Sequence, residues 1–457
     1  MSQELSDNDH RIIGQKLDLF SFHEVAPGAP FWHHKGMVIF RELEKYARKI
    51  NDHEGFEEIS TPIMVKKEVF EKSGHWEHYR DNMFWFQNHR DENEVLALKP
   101  MNCPESTYVY NSSIRSYRDL PLRLAELGRL HRNELSGTLG GLFRVRQITM
   151  DDAHVFVRPD QVEAELIKII ATIESFYKMF GFKTTYLLAT RPTEALGEKS
   201  QWDLAETALA NALKKSDLKF SIAEGEGAFY GPKLEAHIND SQGRDWQLGT
   251  AQLDLVMLPE KFDLAYTDEA GTRQKPWVIH RAIFGSFERF IGVLLEHTNG
   301  ALPFWLSPVQ TRVLTINEKV SDYATNVVSQ LKAQNIRVEL DRRNETINKK
   351  IREAEQYKEQ DQKNVAQRQA RQQFEQYLYS VESSVESMTG LSDEDKETLR
   401  TVQKEGFEWL GQHPEVDPDE VQVFQKSLEA RIMPIYERQG TTTRSAPEKG
   451  SVVEEVD

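Results

Sequence analysis

Apolar residues return every three to four positions through 37–50 (MVIFRELEKYARKI), the period of an amphipathic helix, and Gly55 closes it. The next run, 56–65 (FEEISTPIMV), reads as a strand interrupted by Pro62; a proline there confines it to an edge or an interface. A mixed region at 95–110 contains KPMNCPES. Between 120 and 156, two strand-like runs flank a Gly/Ser-rich turn at 136–141, the pattern of a hairpin with a loop longer than two residues. Residues 161–180 read as a helix stopped at Gly181, 183–189 as a strand and 202–214 as a helix. Further strands at 225–238, 245–257 and 275–280 are expected to run antiparallel and to lead into a helix at 281–296. Antiparallel strands with helices set to one side make the class α+β.

A boundary falls near 304–310 (FWLSPVQ). Beyond it, a strand at 312–316, a helix at 323–334 and a strand at 336–340 form the beginning of a βαβ unit, and a helix starts after Asn344. From Gln356 the chain is polar, Gln/Glu-rich and helical in pattern, with no strand-like run left. Ser392 to Asp395 carries a helix N-terminus signal. The first eight residues and the stretch after Gly440 are too poor in apolar residues to pack and are expected to be disordered.

With 457 residues the chain has room for two to four domains, and 39% hydrophobic against 28% charged residues is the balance of a soluble globular protein. No apolar run reaches membrane-spanning length, and MSQELSDNDH has neither the form of a leader nor that of a transit peptide. The single cysteine, Cys103, excludes an internal disulfide and favours a reducing compartment. A net charge of −16 argues against non-specific coating of nucleic acid, while leaving room for RNA contacts through local basic surfaces.

The hairpin concentrates the candidate chemistry. Arg132 stands on one arm, Arg144 and Arg146 on the other. If the second arm stays regular, Arg144, Arg146, Ile148, Met150, Asp152 and His154 share one face. Guanidinium groups at one end, with a carboxylate and an imidazole at the other, suit a ligand bearing phosphates and an amine. The same pattern also fits an amphipathic strand with solvated charges.

These residues carry a resemblance. From DHRIIGQKLDLF (9–20) to NKKIREAE (348–355) the chain resembles the class II aminoacyl-tRNA synthetases, and within them the threonyl-tRNA synthetases. Each of the three class II signatures is weak alone: the helix and strand ending at Pro62, the hairpin with LHRNE and FRVR, and GSFERF. Their order, together with KPMNCP, DDAHVF, GAFYGPK and VIHRAIFGSFERF, makes the match strong. The resemblance implies an antiparallel class II catalytic sheet with flanking helices over 9–305, and a truncated α/β anticodon-binding domain over 306–355. It implies a threonine–tRNA ligase that uses ATP, threonine and tRNA(Thr), works as a homodimer through 37–62 and needs no membrane. A cytoplasmic location is expected, with the mitochondrion left open. Because the chain begins at the catalytic domain, no editing domain is expected.

The resemblance also implies a zinc ion on Cys103, His154 and His280, a set that spacing alone does not disclose. By the same resemblance Asp152 binds the substrate ammonium, although as a bare pattern it reads equally as a turn cap. Arg132 meets the α-phosphate and the threonine carboxylate, Arg144 the γ-phosphate, Arg289 packs on the adenine and Glu134 bonds its amine. The reaction rests catalytically on Arg132 and Arg289. Tyr230, Gln247 and Gln252 line the threonine pocket, whereas by pattern alone the glutamines read as solvated and Tyr230 as core. Magnesium accompanies ATP.

Four positions depart from the family's usual residues. Glu105 and Ser106 follow Cys103–Pro104 where relatives carry glycine and histidine, Ile148 replaces a phenylalanine, and Met150 replaces a glutamine. They point to weakened activity, and the alternative they raise is a synthetase-like fusion that acts as a binding or interaction protein. The larger departure begins at REAEQYKEQDQKN (352–364). From there the chain resembles the helical lid of a seventy-kilodalton heat-shock chaperone, continuing through EQYLYSVESSVE, LSDEDKETL, FEWLGQHPEVD and RIMPIY. A helical bundle over 356–440 and a tail over 441–457 are therefore expected in place of the later anticodon-domain strands.

Overall fold

The computed structural model describes residues 6–240, 243–354, 370–371, 374–375, 377–381, 385, 391–413 and 417–438. Two compact units result, one up to Asn344 and one from Glu345 onward.

The first unit is built on eight strands: β1 (Glu57–Glu58), β2 (Leu122–His131), β3 (Gln147–Val157), β4 (Thr184–Ala189), β5 (Phe220–Ala223), β6 (Lys233–Asn239), β7 (Asp245–Asp254) and β8 (Trp277–Ala282). In space they lie in the order β5-β4-β6-β7-β8-β3-β2-β1. The six inner strands are antiparallel, and each outer strand pairs in parallel with its neighbour. The α+β class with an antiparallel sheet and flanking helices is what the structure has.

Alternation along β3 sorts the two faces. Ala153, Val155 and Val157 are fully buried in the main core with Leu166, Ile169, Ile170 and Ile173 of a long helix, Val162–Met179. The intervening Asp152 and His154 look the other way. Leu124, Phe156 and Val278 form a smaller core on that second side with Cys103, Tyr110 and Met257.

Several elements depart from the sequence reading. The run 56–65 is not one interrupted strand: β1 ends at Glu58, and Met64–Lys66 belongs to a separate three-stranded sheet. Pro62 lies in the turn between them. A buried network holds this turn, because the Lys99 ammonium donates to Thr61 Oγ1 and to Glu126 Oε1, both at 2.8 Å. The helix expected at 281–296 begins at Phe287, and Arg281 is a strand residue. The strand expected at 225–238 begins only at Lys233 and runs to Asn239, and β5, which pairs in parallel with β4, was not foreseen.

The βαβ reading of 312–340 corresponds to Thr311–Leu314 and Val338–Asp341, paired in parallel around helix Ser321–Ala333. In the second unit the described residues are mainly helical. Ser392 caps helix Asp393–Gln412, its hydroxyl accepting the Asp395 amide at 3.1 Å as the sequence signal indicated. That helix lies antiparallel to Pro418–Arg438, because Asp395 pairs with Arg438 and Glu405 with Arg431. Phe374, Leu378, Leu399, Val402, Leu428 and Ile432 form their shared core. Residues 355–364 of the run that begins the lid resemblance, and the expected tail, fall outside the described residues. Among those described, no helix is long and apolar enough to cross a membrane.

Candidate active site

Register places the site. Gln252 of β7 lies opposite His280 of β8, His280 opposite His154 of β3, and His154 opposite Leu124 of β2. Directly opposed residues share a face, so the glutamine and both imidazoles form a row across the sheet. Cys103 opens a short helix, Cys103–Tyr110, that covers this face. One ligand atom from each of Cys103, His154 and His280 lies within 4.8 Å of the others.

The chemistry of this group fits a soft divalent ion such as zinc. His154 Nε2 and His280 Nδ1 are buried with no hydrogen-bond partner, and an unpartnered buried nitrogen is costly unless something coordinates it. Burial pushes the His154 imidazole down to about 4, which keeps it in the neutral form that binds metal. His280 Nε2 lies 3.5 Å from Asp254 Oδ2, and Asp254 is fixed by the amides of Val256, Met257 and Leu258. A carboxylate behind a histidine is the usual orienting partner of a metal ligand. Burial, then Asp152 and Glu105, push the Cys103 thiol up; bound metal reverses that balance by taking the thiolate.

Around this centre the remaining candidates are positioned by neighbours. Asp152 accepts a hydrogen bond from Asn102 Nδ2 at 2.9 Å. Asn102 is itself buried against Gly128, where a Cβ would come within 2.3 Å of its amide oxygen. The Tyr230 hydroxyl donates to Gln252 Oε1, and its ring lies 5.1 Å from that of His280. Gln247 is five positions from Gln252, a spacing that puts side chains on opposite faces of a regular strand. A bulge near Leu248 shifts the register so that Gln247 faces His237 and Gln252 faces Lys233 on the same side. Gln247 there donates to Glu235 Oε1 at 2.8 Å.

The arginines lie off the regular strands, which corrects the expectation for Arg144 and Arg146. The second arm begins only at Gln147, so the segment 132–146 lies outside the strands, with a single 3-10 turn at Ser136–Thr138; the face shared by Ile148, Met150, Asp152 and His154 stands. Arg132 Nε donates to the Pro100 carbonyl at 3.2 Å, and Arg144 pairs with Glu134 at 2.8 Å. Arg146 Nε donates to the Glu134 carbonyl at 2.9 Å. Arg289 sits in the first turn of helix Phe287–Thr298, its amide held by Ser286 Oγ and its Nε by the Phe143 carbonyl. Burial, then Arg132 and Arg144, pull the Arg289 guanidinium below its ordinary range. Glu134, paired with Arg144, offsets part of that repulsion, and the net cationic cluster favours a polyanion. Next door, Glu288 is buried and accepts the Thr149 amide with both oxygens.

The departures are located too. Ile148 is buried and Met150 half-buried beside Leu130 and Val145, an apolar wall. Ser106 turns back to the Cys103 carbonyl at 2.8 Å. Glu105 does not belong to the ligand group; it is buried with neither carboxylate oxygen partnered, and burial pushes it up to about 8. His75 was missed by the sequence reading. It is buried near the same centre, its imidazole pushed down to about 3 by burial and then by His280. Nothing in its surrounding SGHWEHY pattern separates it from a core histidine.

A family model described as the tRNA synthetase class II core domain (G, H, P, S and T) matches residues 84–298. An anticodon binding domain model matches residues 310–382, reaching beyond residue 355 into the lid-like stretch. A threonine–tRNA ligase of Caldanaerobacter subterraneus subsp. tengcongensis is 52% identical over 355 residues, 78% of this chain and 54% of the relative. The chain thus spans about half the length of the curated relatives it matches. Among solved structures, the RNA binding domain of threonyl-tRNA synthetase from Cryptosporidium parvum aligns with a TM-score of 0.72 and 42% identity, over 76% of this chain and 86% of that one. A threonyl-tRNA synthetase from Aeropyrum pernix, described as putative, aligns with a TM-score of 0.67 and 30% identity, over 76% and 83%.

Proposed function

The chain belongs to the threonyl-tRNA synthetases, and from that premise we propose that it activates threonine with ATP and transfers it to tRNA(Thr). The observation that carries this is the convergence of Cys103, His154 and His280, with two unpartnered imidazole nitrogens, on the face that also bears Asp152. Cys103, His154 and His280 would hold a zinc ion, which when bound would supply a Lewis-acid contact for an amine and a hydroxyl. Asp152 would accept an N–H of the threonine amino group, with Asn102 fixing the Asp152 carboxylate. Tyr230 and Gln252, already bonded to each other, close the pocket wall, and Gln247 extends it. Arg132 bridges the threonine carboxylate and the α-phosphate, Arg144 holds the γ-phosphate, Arg289 lies on the adenine and Glu134 bonds its amine. Magnesium arriving with ATP would neutralise the remaining phosphate charge. Positioning and charge stabilisation then carry the in-line attack of the carboxylate on phosphorus.

Threonine-dependent ATP–pyrophosphate exchange by zinc-loaded protein tests this reading. Valine, which lacks the hydroxyl, should be rejected by a factor of about 10⁴, and serine, which lacks one methyl, by only about 10–200. Folded, zinc-bound protein that catalyses no exchange would leave the other reading, a synthetase-like binding protein. Glu105 favours that second reading, because a buried carboxyl group with neither oxygen partnered sits beside the amino-acid pocket.

The Asn102–Gly128 contact gives a narrower expectation. Gly128→Ala drives a methyl into the Asn102 amide and turns it off Asp152. The threonine KM should rise about tenfold or more while the ATP KM stays put. Gly137→Ala, where a Cβ meets nothing within 4 Å, is the control and should change neither.

Exposed Ile63, Met64, Trp85 and Phe86 support a homodimer contact beside the 37–62 region. We propose a cytoplasmic location, with the mitochondrion left open, in keeping with a chain whose single cysteine is Cys103. The paired C-terminal helices with their own core support the lid-like reading of that unit.

A further inference from the structure

We propose that His10 is a positioning residue for the nucleotide end of the site, holding the loop that seats Arg289 and carries Arg144. The proposal rests on the reading of those arginines as ATP ligands. His10 opens a short helix, His10–Lys16, and is 1% exposed. Its Nδ1 lies 2.6 Å from Glu296 Oε1, and its backbone amide donates to the same oxygen at 2.9 Å. On the other side the Leu142 amide donates to His10 Nε2 at 2.9 Å. An amide can only donate, so Nε2 presents its lone pair and the ring proton sits on Nδ1, directed at the carboxylate. With both nitrogens engaged, the Asp9–His10–Glu296 group is a hydrogen-bonded clamp rather than an ion site.

The clamp leads directly to the arginine. The imidazole packs on Phe143 with ring centres 4.1 Å apart, and the Phe143 carbonyl accepts Arg289 Nε at 3.0 Å. Glu296 and Arg289 stand on one helix, Phe287–Thr298, so this path closes a circuit: Glu296, His10, Leu142, Phe143, Arg289. Gly292 lies between them on the same helix, where a Cβ would be 3.0 Å from the Phe143 ring and 3.2 Å from Leu142 Cβ. The second Glu296 oxygen is held by Arg244, which also covers the Phe143 ring at 5.4 Å. Gly141 completes the fit; its φ is +56°, and a Cβ there would fall 2.1 Å from His10 Nε2. Residues 141–143 are thereby pinned between two helices immediately before Arg144. No contact in the circuit touches the threonine pocket, so its loss should be felt at the nucleotide end.

Two conservative substitutions separate the two bonds of the ring. His10→Gln places an amide oxygen near Nε2 and can still accept the Leu142 amide. His10→Asn places an amide nitrogen near Nδ1, keeping Glu296 and giving up Leu142. In threonine-dependent exchange, His10→Asn is expected to raise the ATP KM about tenfold or more, with the threonine KM unchanged and His10→Gln within about threefold of wild type. Equal KM values in all three proteins, or equal losses in kcat alone, would overturn the proposal, since a purely structural histidine lowers only the folded fraction. If His10→Asn does not fold, Gly141→Ala, which displaces the ring from the loop side, should reproduce the ATP-specific rise, and an unchanged ATP KM there overturns it. Absence of exchange in the wild type would refute the ligase reading instead; the proposal is then judged by ATP-analogue affinity, which must fall in His10→Asn and hold in His10→Gln.

Discussion

Cys103→Ala is expected to lower threonine-dependent ATP–pyrophosphate exchange by a factor of about 10³ or more and to reduce bound zinc from one ion per chain to a small fraction. The size follows from what a bound ion would supply: contacts to the threonine amine and hydroxyl worth several kcal/mol, with each 1.4 kcal/mol about tenfold in kcat/KM. Cys103 is the single thiol of the three donors, and the two imidazoles alone leave the ion open to water. Alanine is well suited to the start of helix Cys103–Tyr110, and the flanking Pro104 keeps its place in the first turn. The fold should therefore survive, with an unchanged far-UV spectrum and a cooperative melt. ATP affinity should also survive, because the arginine cluster is reached from other elements, the loop 132–146 and helix Phe287–Thr298. Exchange within tenfold of wild type, with zinc absent, would remove the ion from the amino-acid pocket.

Much of this arrangement was legible because local pattern and tertiary demand agree. The 37–50 periodicity marks helix His34–Glu54, and Gly55, with φ +74°, closes it where the sequence placed the stop. Alternation in β3 correctly put Ile148, Met150, Asp152 and His154 on one face. It failed for Arg144 and Arg146, because a strand pattern in charged residues continues unchanged into loop. What lifts that loop off the sheet is long-range: the Gly28 carbonyl accepts the Arg146 amide, and His10 accepts that of Leu142. The shared face of Gln247 and Gln252 was equally hidden, since their spacing contradicts it and only the bulge restores it. Parallel β5 was missed because its partner lies across an intervening helix, Lys199–Lys215, and leaves no hairpin signal. The convergence of Cys103, His154 and His280 was available through family resemblance alone; three residues on separate elements meet by sheet register, which no local pattern encodes.

The largest expected loss of stability comes from the opposite face of the same strand. Arg281 alternates with His280 in β8 and points into the main core, its side chain fully buried. Its Nη1 donates to Asn51 Oδ1 at 3.2 Å, its guanidinium lies 4.6 Å from the Phe56 ring, and Nη2 is 3.8 Å from Asp151 Oδ1. Asp151 is buried too, and also accepts the amides of Ile283 and Phe284. Burial pushes its carboxyl up from the ordinary range, and Arg281 followed by those amides pulls it part of the way back. Arg281→Met preserves length and apolar contact but strands the Asp151 carboxylate and the Asn51 amide oxygen in the core. Breaking a buried pair from one side costs about 3–5 kcal/mol, far more than the pair contributes over apolar replacements of both partners. Denaturant unfolding of the single variant should show that loss, and Arg281→Met with Asp151→Asn should recover a substantial part of it, a coupling that identifies the unpaired charge as the cause. The folded fraction should keep its threonine KM, because His280 faces the pocket and Arg281 does not. A cost below about 1 kcal/mol in the single variant would mean that Asp151 is satisfied by the two amides alone, leaving Arg281 as a packing residue of the helix–sheet interface.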